Sequence, residues 1–251
     1  MPSGCATGQG QKRGHDVKES AIAILLFIVT VIAPGLASGE TIAVVGTGQV
    51  AGALGPEFAE LGHTIVYGSR DPSRDEVKVL VDRTGHGASA TTPAEAAAGA
   101  DVVVLAVPGA VIEAVTKSLG DLSGKIIIDP TNPLRRNEDG LFEMSVETSN
   151  AELIQGWAPD AYVVKAFNSL NWRQMIEPES SNGPISIPLV GNNAEAKAFV
   201  AALAEGLGLE PIDLGPVRYA RHVEGMLILW INRRYVQNEP FEYHLRRVQS
   251  D

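Results

Sequence analysis

The sequence predicts an α/β fold of the Rossmann-like type, with a doubly wound parallel sheet and a small C-terminal α/β cap. Apolar, β-branched runs alternate with helical patterns from residue 41 onwards. A glycine-rich turn follows the first of these runs, and a further set of strand and helix patterns follows residue 184. Strands that alternate with helices favour a parallel sheet covered by helices on both faces.

Length and composition limit the classes of function. The chain has 251 residues, of which 45% are hydrophobic, enough for one large domain or a domain with a smaller cap. A formal net charge of -10 provides no basic face for nucleic acid. A single cysteine, Cys5, excludes an intrachain disulfide and a cysteine-based metal cluster, and the five histidines show no spacing of the HExxH type. We therefore expect no nucleic-acid partner and no metal site.

The N-terminal segment, residues 1–39, is predicted to be a signal-like or anchor segment. An apolar run over residues 21–33 follows basic residues and precedes a proline and small residues. The run is short for a membrane span of roughly 20 residues. A cleaved signal would give a periplasmic or secreted protein. The alternatives are a membrane anchor through residues 21–37, or a wrongly assigned start and a cytoplasmic product.

The first unit after this segment is a strand, a glycine turn and a helix. Residues 41–45 form a β-branched run, residues 46–48 read Gly-Thr-Gly, and residues 49–61 show helical periodicity. A second strand, over residues 64–67, completes a βαβ unit. This is the context that a dinucleotide-binding fingerprint requires, although Ala51 stands at its third glycine position.

The residues of this turn are predicted to hold a pyrophosphate. Gly46 permits a tight turn, and Gly48 lets the backbone approach the anion. Thr47 lies between them, and Gln49 and Val50 begin the helix whose free N–H groups point at the phosphates.

The end of the second strand distinguishes NAD from NADP. An NAD site places a carboxylate there for the ribose hydroxyls, whereas this chain has Ser69 and Arg70. Arg70 can pair with a 2′-phosphate, Ser69 can donate a hydrogen bond to it, and Arg74 can add a second charge. The sequence therefore predicts NADP(H). The alternative is an exposed turn whose arginines pair with the carboxylates of residues 71–76.

Further strands and helices continue the alternating pattern. The predicted helices cover residues 94–99 and 110–119, and the predicted strands cover residues 101–106, 125–129 and 162–166.

Turns after these strands supply further candidate cofactor residues. Ala106, Val107 and Pro108 leave the carboxyl end of one strand, and ligands of open α/β sheets bind at such ends. Asn132 and Asn168 follow two other strands and can hold the cofactor or its acceptor, but asparagine is equally typical of simple turns.

The chain is predicted to divide at residue 176, into an NADP-binding Rossmann domain (residues 40–176) and a small C-terminal cap (residues 177–251) packed on the main sheet. The predicted cap has strands over residues 185–190 and 209–214 and helices over residues 194–207 and 217–234.

Three ionisable residues invite a catalytic interpretation. Arg221 and His222 lie on the last predicted helix. An arginine on a helix surface and a histidine at its edge are common in proteins, so a structural role is favoured over a catalytic one. Lys165, at a strand end, is either a salt-bridge partner of Asp129 or a charge near an acceptor. We assign none of them a catalytic role.

Five segments together resemble the NADPH:deazaflavin-coenzyme oxidoreductases, and the reductase domain of the STEAP metalloreductases is similar. The segments are residues 46–48, 68–72, 105–108, 129–134 and 165–168. The resemblance implies that the glycine turn holds the pyrophosphate and that Ser69 and Arg70 hold the 2′-phosphate. It further implies an acceptor pocket near Pro108, residues 132–134 and residues 167–168, and it suggests a homodimer.

The resulting hypothesis is hydride transfer between NADP(H) and a deazaflavin or flavin, the small-molecule acceptor. Direct transfer between stacked rings demands no catalytic acid, in keeping with a sequence that shows no triad or carboxylate dyad. One alternative is an NADPH-dependent reductase of a small imine or carbonyl, similar to pyrroline-carboxylate reductase, which would need a proton donor such as His222 or Lys165. Another alternative is a non-enzymatic NADP(H)-binding sensor.

Overall fold

The computed structural model of the chain describes residues 39–181 and 183–248. The strands in this part of the chain are short, and those of the centre of the main sheet follow the apolar runs of the sequence. They are β1 (Thr41–Val45), β2 (Thr64–Gly68), β3 (Ser89–Thr91), β4 (Val102–Leu105), β5 (Ile126–Asp129), β6 (Leu134–Arg136), β7 (Phe142–Met144), β8 (Tyr162–Lys165), β9 (Ser186–Gly191) and β10 (Glu210–Asp213).

Helices lie between most of the strands. They are α1 (Gln49–Glu60), α2 (Asp75–Thr84), α3 (Pro93–Ala98), α4 (Ile112–Ser118), α5 (Asn150–Trp157), α6 (Trp172–Ile176), α7 (Ala194–Gly206) and α8 (Ala220–Ile231). Short 3₁₀ turns precede α4 and α8, and a π-helical turn, Asn232–Val236, follows α8.

Eight strands form one sheet in the order β10-β9-β8-β5-β4-β1-β2-β3. All neighbours are parallel except β8 and β9, which pair antiparallel. β1 lies next to both β2 and β4, so the chain reverses its direction of travel across the sheet at this point. The carboxyl ends of these strands border a crevice, the usual ligand position in an open α/β sheet. The predicted Rossmann-like α/β fold is confirmed.

The central strands are largely apolar because both faces of the sheet are covered. Ile42 and Val44 of β1 join a core with α1, α2, α6 and α7 on one face. Ala43 and Val45 join a core with α3, α4, α5 and α8 on the other. Successive side chains of a strand point to opposite faces, so a parallel strand buried on both needs a continuous apolar run.

The C-terminal part differs from the predicted cap in where it is attached. Its strands β9 and β10 extend the main sheet beyond β8 instead of packing on a face of that sheet. Its helices α7 and α8 contribute to the two cores that the rest of the sheet uses. The predicted division at residue 176 is therefore not marked by a separate sheet, and it stays a prediction about domain organisation.

Several elements have no counterpart in the sequence prediction: α2, β3, α5, α6 and the antiparallel hairpin of β6 and β7. Helix α2 does carry a periodic signal, because Val77, Leu80 and Thr84 are its buried residues. The hairpin strands are three residues each and only partly buried, so they give no apolar run to detect.

The predicted signal-like segment lies outside the described residues apart from Gly39. Within the described part of the chain, no helix has the length and hydropathy needed to cross a membrane. Signal cleavage, anchoring and location in the cell stay predictions.

Candidate functional site

A cleft of about 780 Å³ opens at the carboxyl ends of β1, β2 and β4. The glycine turn after β1, the residues after β2 and the loop after β4 line it. Nine of the predicted cofactor residues line this cleft: Gly46, Thr47, Gly48, Ser69, Arg70, Arg74, Ala106, Val107 and Pro108.

The glycine turn has the geometry that the fingerprint requires. Gly46 has a φ of +114°, and a Cβ there would collide with the carbonyl oxygen of Ala106. A Cβ at Gly48 would meet no atom within 4 Å, so this glycine faces open space. Gly48 is also the N-cap of α1 and provides no side-chain hydrogen bond to the first helical turn. The first-turn N–H groups are thus available to an anion in the cleft.

Ser69 and Arg70 follow β2 at the mouth of the cleft. Ser69 is buried, and its hydroxyl donates a hydrogen bond to the carbonyl oxygen of Asp71 at 3.0 Å. Arg70 is exposed and has no carboxylate within ion-pair distance among the described residues. Arg74 Nη2 donates to the hydroxyl of Thr47 at 3.2 Å, which connects the start of α2 with the glycine turn.

Two of the three nearby carboxylates, those of Asp71 and Asp75, have hydrogen-bond or ion-pair partners other than these arginines. The hydroxyl and amide of Ser73 donate to Asp71 Oδ1, and these hydrogen bonds lower the pKa of Asp71. Asp75 pairs with Lys78 at 3.0 Å. The geometry favours the phosphate-binding interpretation of Arg70 and Arg74 over that of paired surface arginines.

One wall of the cleft, formed by the loop after β4 and by α4, is largely apolar. Val111 and Val115, in the segment that leads into α4 and in α4 itself, line the cleft together with Val107 and Pro108. The sequence analysis missed Val111 and Val115, although both belong to a helical pattern that begins directly after a strand end.

Four predicted cofactor residues do not line the cleft. Gln49 and Val50 begin α1. Asn132 and Asn168 hydrogen-bond each other: Asn132 Nδ2 donates to the backbone oxygen of Asn168 at 3.1 Å, and Asn168 Nδ2 donates to Asn132 Oδ1 at 3.0 Å. This pair connects the loops that follow β5 and β8. Contact of these four residues with a cofactor stays a prediction.

Lys165, at the end of β8, lies in a buried charged cluster with Asp129 and Glu224. Its ammonium nitrogen is 2.6 Å from Asp129 Oδ2 and 2.6 Å from Glu224 Oε1, and all three side chains have 0% exposure. It also donates to the carbonyl oxygen of Thr131 at 2.7 Å. Of the two predicted alternatives, the structure shows the salt bridge with Asp129. An ammonium has three protons, and three oxygens surround this one.

Glu224, on α8, is the member of the cluster that sequence reasoning missed. The only signal was a lone carboxylate within the apolar residues of the last helix. Glu224 Oε2 accepts a hydrogen bond from the amide of Asn150, and Oε1 accepts one from Ala151, both at the amino end of α5. Burial raises the pKa of Glu224 to about 7, the ammonium of Lys165 opposes the rise, and Asp129 adds to it.

The raised pKa of Glu224 predicts how stability depends on pH. The folded state retains a proton here that the unfolded state loses near pH 4.5, so this contribution to stability is complete below pH 4.5 and disappears by about pH 7. Relative to Glu224→Gln, the wild type should lose up to about 1.4 kcal/mol of unfolding free energy per pH unit across this window. Urea denaturation of both proteins between these pH values tests this, and parallel curves would contradict it.

Arg221 and His222 lie at the surface, as the structural interpretation of these two residues predicts. Arg221 Nε donates to Glu152 Oε2 at 3.0 Å, which connects α8 to α5. His222 is exposed and lies beside the ring of Tyr219, and neither residue lines the cleft.

Comparison with known proteins agrees with this geometry. The model of the family described as NADP oxidoreductase, coenzyme F420-dependent, matches residues 41–133. A solved structure of a provisionally assigned F420-dependent NADP reductase from Arthrobacter sp. FB24 is 35% identical, with a TM-score of 0.76. The match covers 83% of this chain and 100% of that protein.

Two curated relatives are similar over most of this chain. Metalloreductase STEAP3 of Rattus norvegicus is 29% identical over 186 residues, which are 74% of this chain and 36% of the relative. This chain thus spans about a third of that metalloreductase's length. The F420-dependent NADP reductase of Methanothermobacter thermautotrophicus is 29% identical over 203 residues, with 74% of this chain and 85% of the relative covered. The chain belongs to the family of NADP oxidoreductases described as coenzyme F420-dependent.

Proposed function

We propose that this chain is an NADP-dependent oxidoreductase that moves hydride between NADP(H) and a deazaflavin or flavin acceptor. The observation that carries the proposal is the arrangement of Ser69 and Arg70. They occupy the position at which an NAD site has a carboxylate. They also line a cleft in which the helix after the glycine turn presents free N–H groups.

The residues present fit a dinucleotide with a 2′-phosphate. The open space at Gly48 and the uncapped start of α1 suit a pyrophosphate. Arg70 suits the 2′-phosphate, because a guanidinium binds phosphate oxygens through paired hydrogen bonds. Arg74 extends from α2 to Thr47 and adds positive charge between the two phosphate positions.

Bound NADPH would supply the hydride, and the protein would supply binding, orientation and an environment that excludes water. The apolar wall of Val107, Pro108, Val111 and Val115 suits the last task. A flat ring system placed against this wall would meet carbon atoms instead of water.

The reading as an imine or carbonyl reductase gains no support from its two candidate proton donors. Lys165 is fully buried, with its ammonium directed at three oxygens, and His222 is exposed outside the cleft. A non-enzymatic sensor would share the NADP(H) site, so turnover is the property that distinguishes it. Homodimer formation stays a prediction.

The test is oxidation of NADPH by the purified full-length chain, with a deazaflavin, FMN, FAD or no acceptor. We expect absorbance at the nicotinamide band to fall with one ring acceptor and not without it. The control replaces NADPH by NADH, and the rate should then fall by about tenfold or more, because NADH lacks the 2′-phosphate.

Tight NADPH binding without oxidation by any ring acceptor would contradict the proposed reaction and leave a sensor or another substrate. Equal rates with NADH and NADPH would contradict the assignment of Ser69 and Arg70 to the phosphate.

A further inference from the structure

Two neighbouring residues of α8 hold the loops that follow β5 and β8. Glu224 pairs with Lys165, whose ammonium also binds the carbonyl oxygen of Thr131. The carbonyl oxygen of Val223 accepts a hydrogen bond from Asn168 Nδ2 at 3.4 Å. Both loops leave carboxyl ends of central strands, the edge of the sheet at which the cleft lies.

The start of α5 belongs to the same network. Asn150 donates its amide hydrogen to Glu224 Oε2 at 3.0 Å and a side-chain hydrogen to the hydroxyl of Thr131 at 2.8 Å. That hydroxyl donates to Asp129 Oδ1 at 2.7 Å. When ionised, Glu224 also places its negative charge at the positive end of this helix. A change at Glu224 therefore reaches the loop after β5 by two routes, through Lys165 and through Asn150.

The network touches the wall of the cleft at Gly109. A Cβ there would collide with the carbonyl oxygen of Asn132 and would lie 2.9 Å from Asn150 Nδ2. Gly109 directly follows Pro108, which lines the cleft. The backbone of the cleft's wall therefore packs against Asn132 and Asn150. Asn150 donates directly to Glu224. Asn132 directly follows Thr131, whose carbonyl oxygen Lys165 binds.

We propose that Glu224 is a positioning residue for the acceptor: from α8 it holds Lys165 and the start of α5, and these fix the wall at Pro108 and Gly109. This inference rests on the proposed function, since it assigns the wall to the hydride acceptor. The glycine turn and Arg70, to which the phosphates are assigned, belong to other loops, so most of the NADPH affinity is not expected to depend on Glu224.

The charged groups around Glu224 define how its role should vary with pH. Lys165 and Asp129 face it from β8 and β5, and Arg221 and Glu152 form a separate ion pair between α8 and α5. Loss of the Glu224 proton leaves two carboxylates and one ammonium without solvent. We expect kcat/KM for the acceptor to rise as this proton is lost, because the ionised carboxylate holds Lys165 and the start of α5 more firmly. The midpoint should lie near the pKa of Glu224, which burial raises to about 7.

The experiment compares Glu224→Gln with Glu152→Gln in the full-length chain. Both changes neutralise a carboxylate between α5 and α8, but Glu152 lies outside the cluster and pairs with Arg221. For Glu224→Gln we expect the Kd for NADPH to stay within about twofold while kcat/KM for the acceptor falls by about tenfold to a hundredfold, the cost of a small misplacement of reacting groups. The transition near pH 7 should disappear in this variant, and Glu152→Gln should leave both properties unchanged.

Hydrogen exchange of the segment 106–111 provides a second measurement that needs no turnover. Glu224→Gln should speed exchange in this segment, and Glu152→Gln should not. If the wild type reduces no acceptor, the proposed function fails, whereas faster exchange only in Glu224→Gln still supports the positioning role.

Asn150→Ala keeps the charges and removes the side-chain bond to Thr131 and the packing of Asn150 Nδ2 against Gly109. It should alter acceptor kinetics and exchange in the same direction by a smaller factor, and it tests the proposal even if Glu224→Gln does not fold. The positioning role is wrong if Glu224→Gln keeps the kinetics, pH profile and hydrogen exchange of the wild type. It is also wrong if Glu152→Gln has the same effects as Glu224→Gln, or if Asn150→Ala changes neither acceptor kinetics nor exchange.

Discussion

Replacing Arg70 by alanine is expected to raise the Kd for NADPH by roughly 10- to 100-fold, because a hydrogen bond to a charged group contributes about 1.5–3 kcal/mol. The Kd for NADH should stay within about twofold, because that cofactor has no 2′-phosphate for the guanidinium. Arg70 is exposed at the mouth of the cleft and has no ion-pair partner among the described residues, so its loss should cost little stability.

The measurement is the quenching of protein fluorescence on titration with each cofactor. Arg218→Ala is a matched control, since Arg218 is also exposed but does not line the cleft. An equal loss of NADPH and NADH affinity in Arg70→Ala would show that Arg70 does not recognise the 2′-phosphate.

Replacing Lys165 by alanine is expected to destabilise the fold by about 3–5 kcal/mol, the typical cost of removing one partner from a buried ion pair. The change leaves Asp129 and Glu224 buried without a cation. Because protonation of Glu224, whose pKa burial already raises, avoids part of this cost, the deficit should shrink as the pH is lowered. Urea denaturation at several pH values measures both effects.

Lys78→Ala is the control for loss of a lysine, since its pair with Asp75 is on the surface and should contribute no more than about 1 kcal/mol. A second control is Lys165→Met combined with Glu224→Gln, which removes one positive and one negative charge together. It should be more stable than Lys165→Ala alone. A wild-type stability for Lys165→Ala would contradict the view that this cluster is held by its ammonium.

Alternation of apolar runs with helical patterns predicted the α/β fold class, because a strand buried on both faces consists mainly of apolar residues. The glycine turn and the pair Ser69 and Arg70 were identified for a similar reason. A tight turn after a strand, and the residue type at the end of the next strand, are local properties that short segments of sequence contain.

Only the tertiary structure decided which distant residues meet. Glu224 is separated from Asn150 by 74 positions, yet its carboxylate accepts the amide hydrogen at the start of α5. A carboxylate among apolar residues of a helix gives no indication of its partner, because pairing depends on how α8 crosses α5 and β8. The same holds for Asn132 and Asn168, whose residue types are as typical of turns as of binding sites and whose mutual hydrogen bonds arise from the folding of two separate loops.

The place of the C-terminal part was also decided by tertiary contacts. The sequence indicated its strands and helices, but strand patterns do not specify a neighbour. β9 pairs antiparallel with β8 and so continues the main sheet. Apolar periodicity determines that an element is buried, whereas the choice of partner depends on the shape and hydrogen-bonding edge that the rest of the folded chain presents.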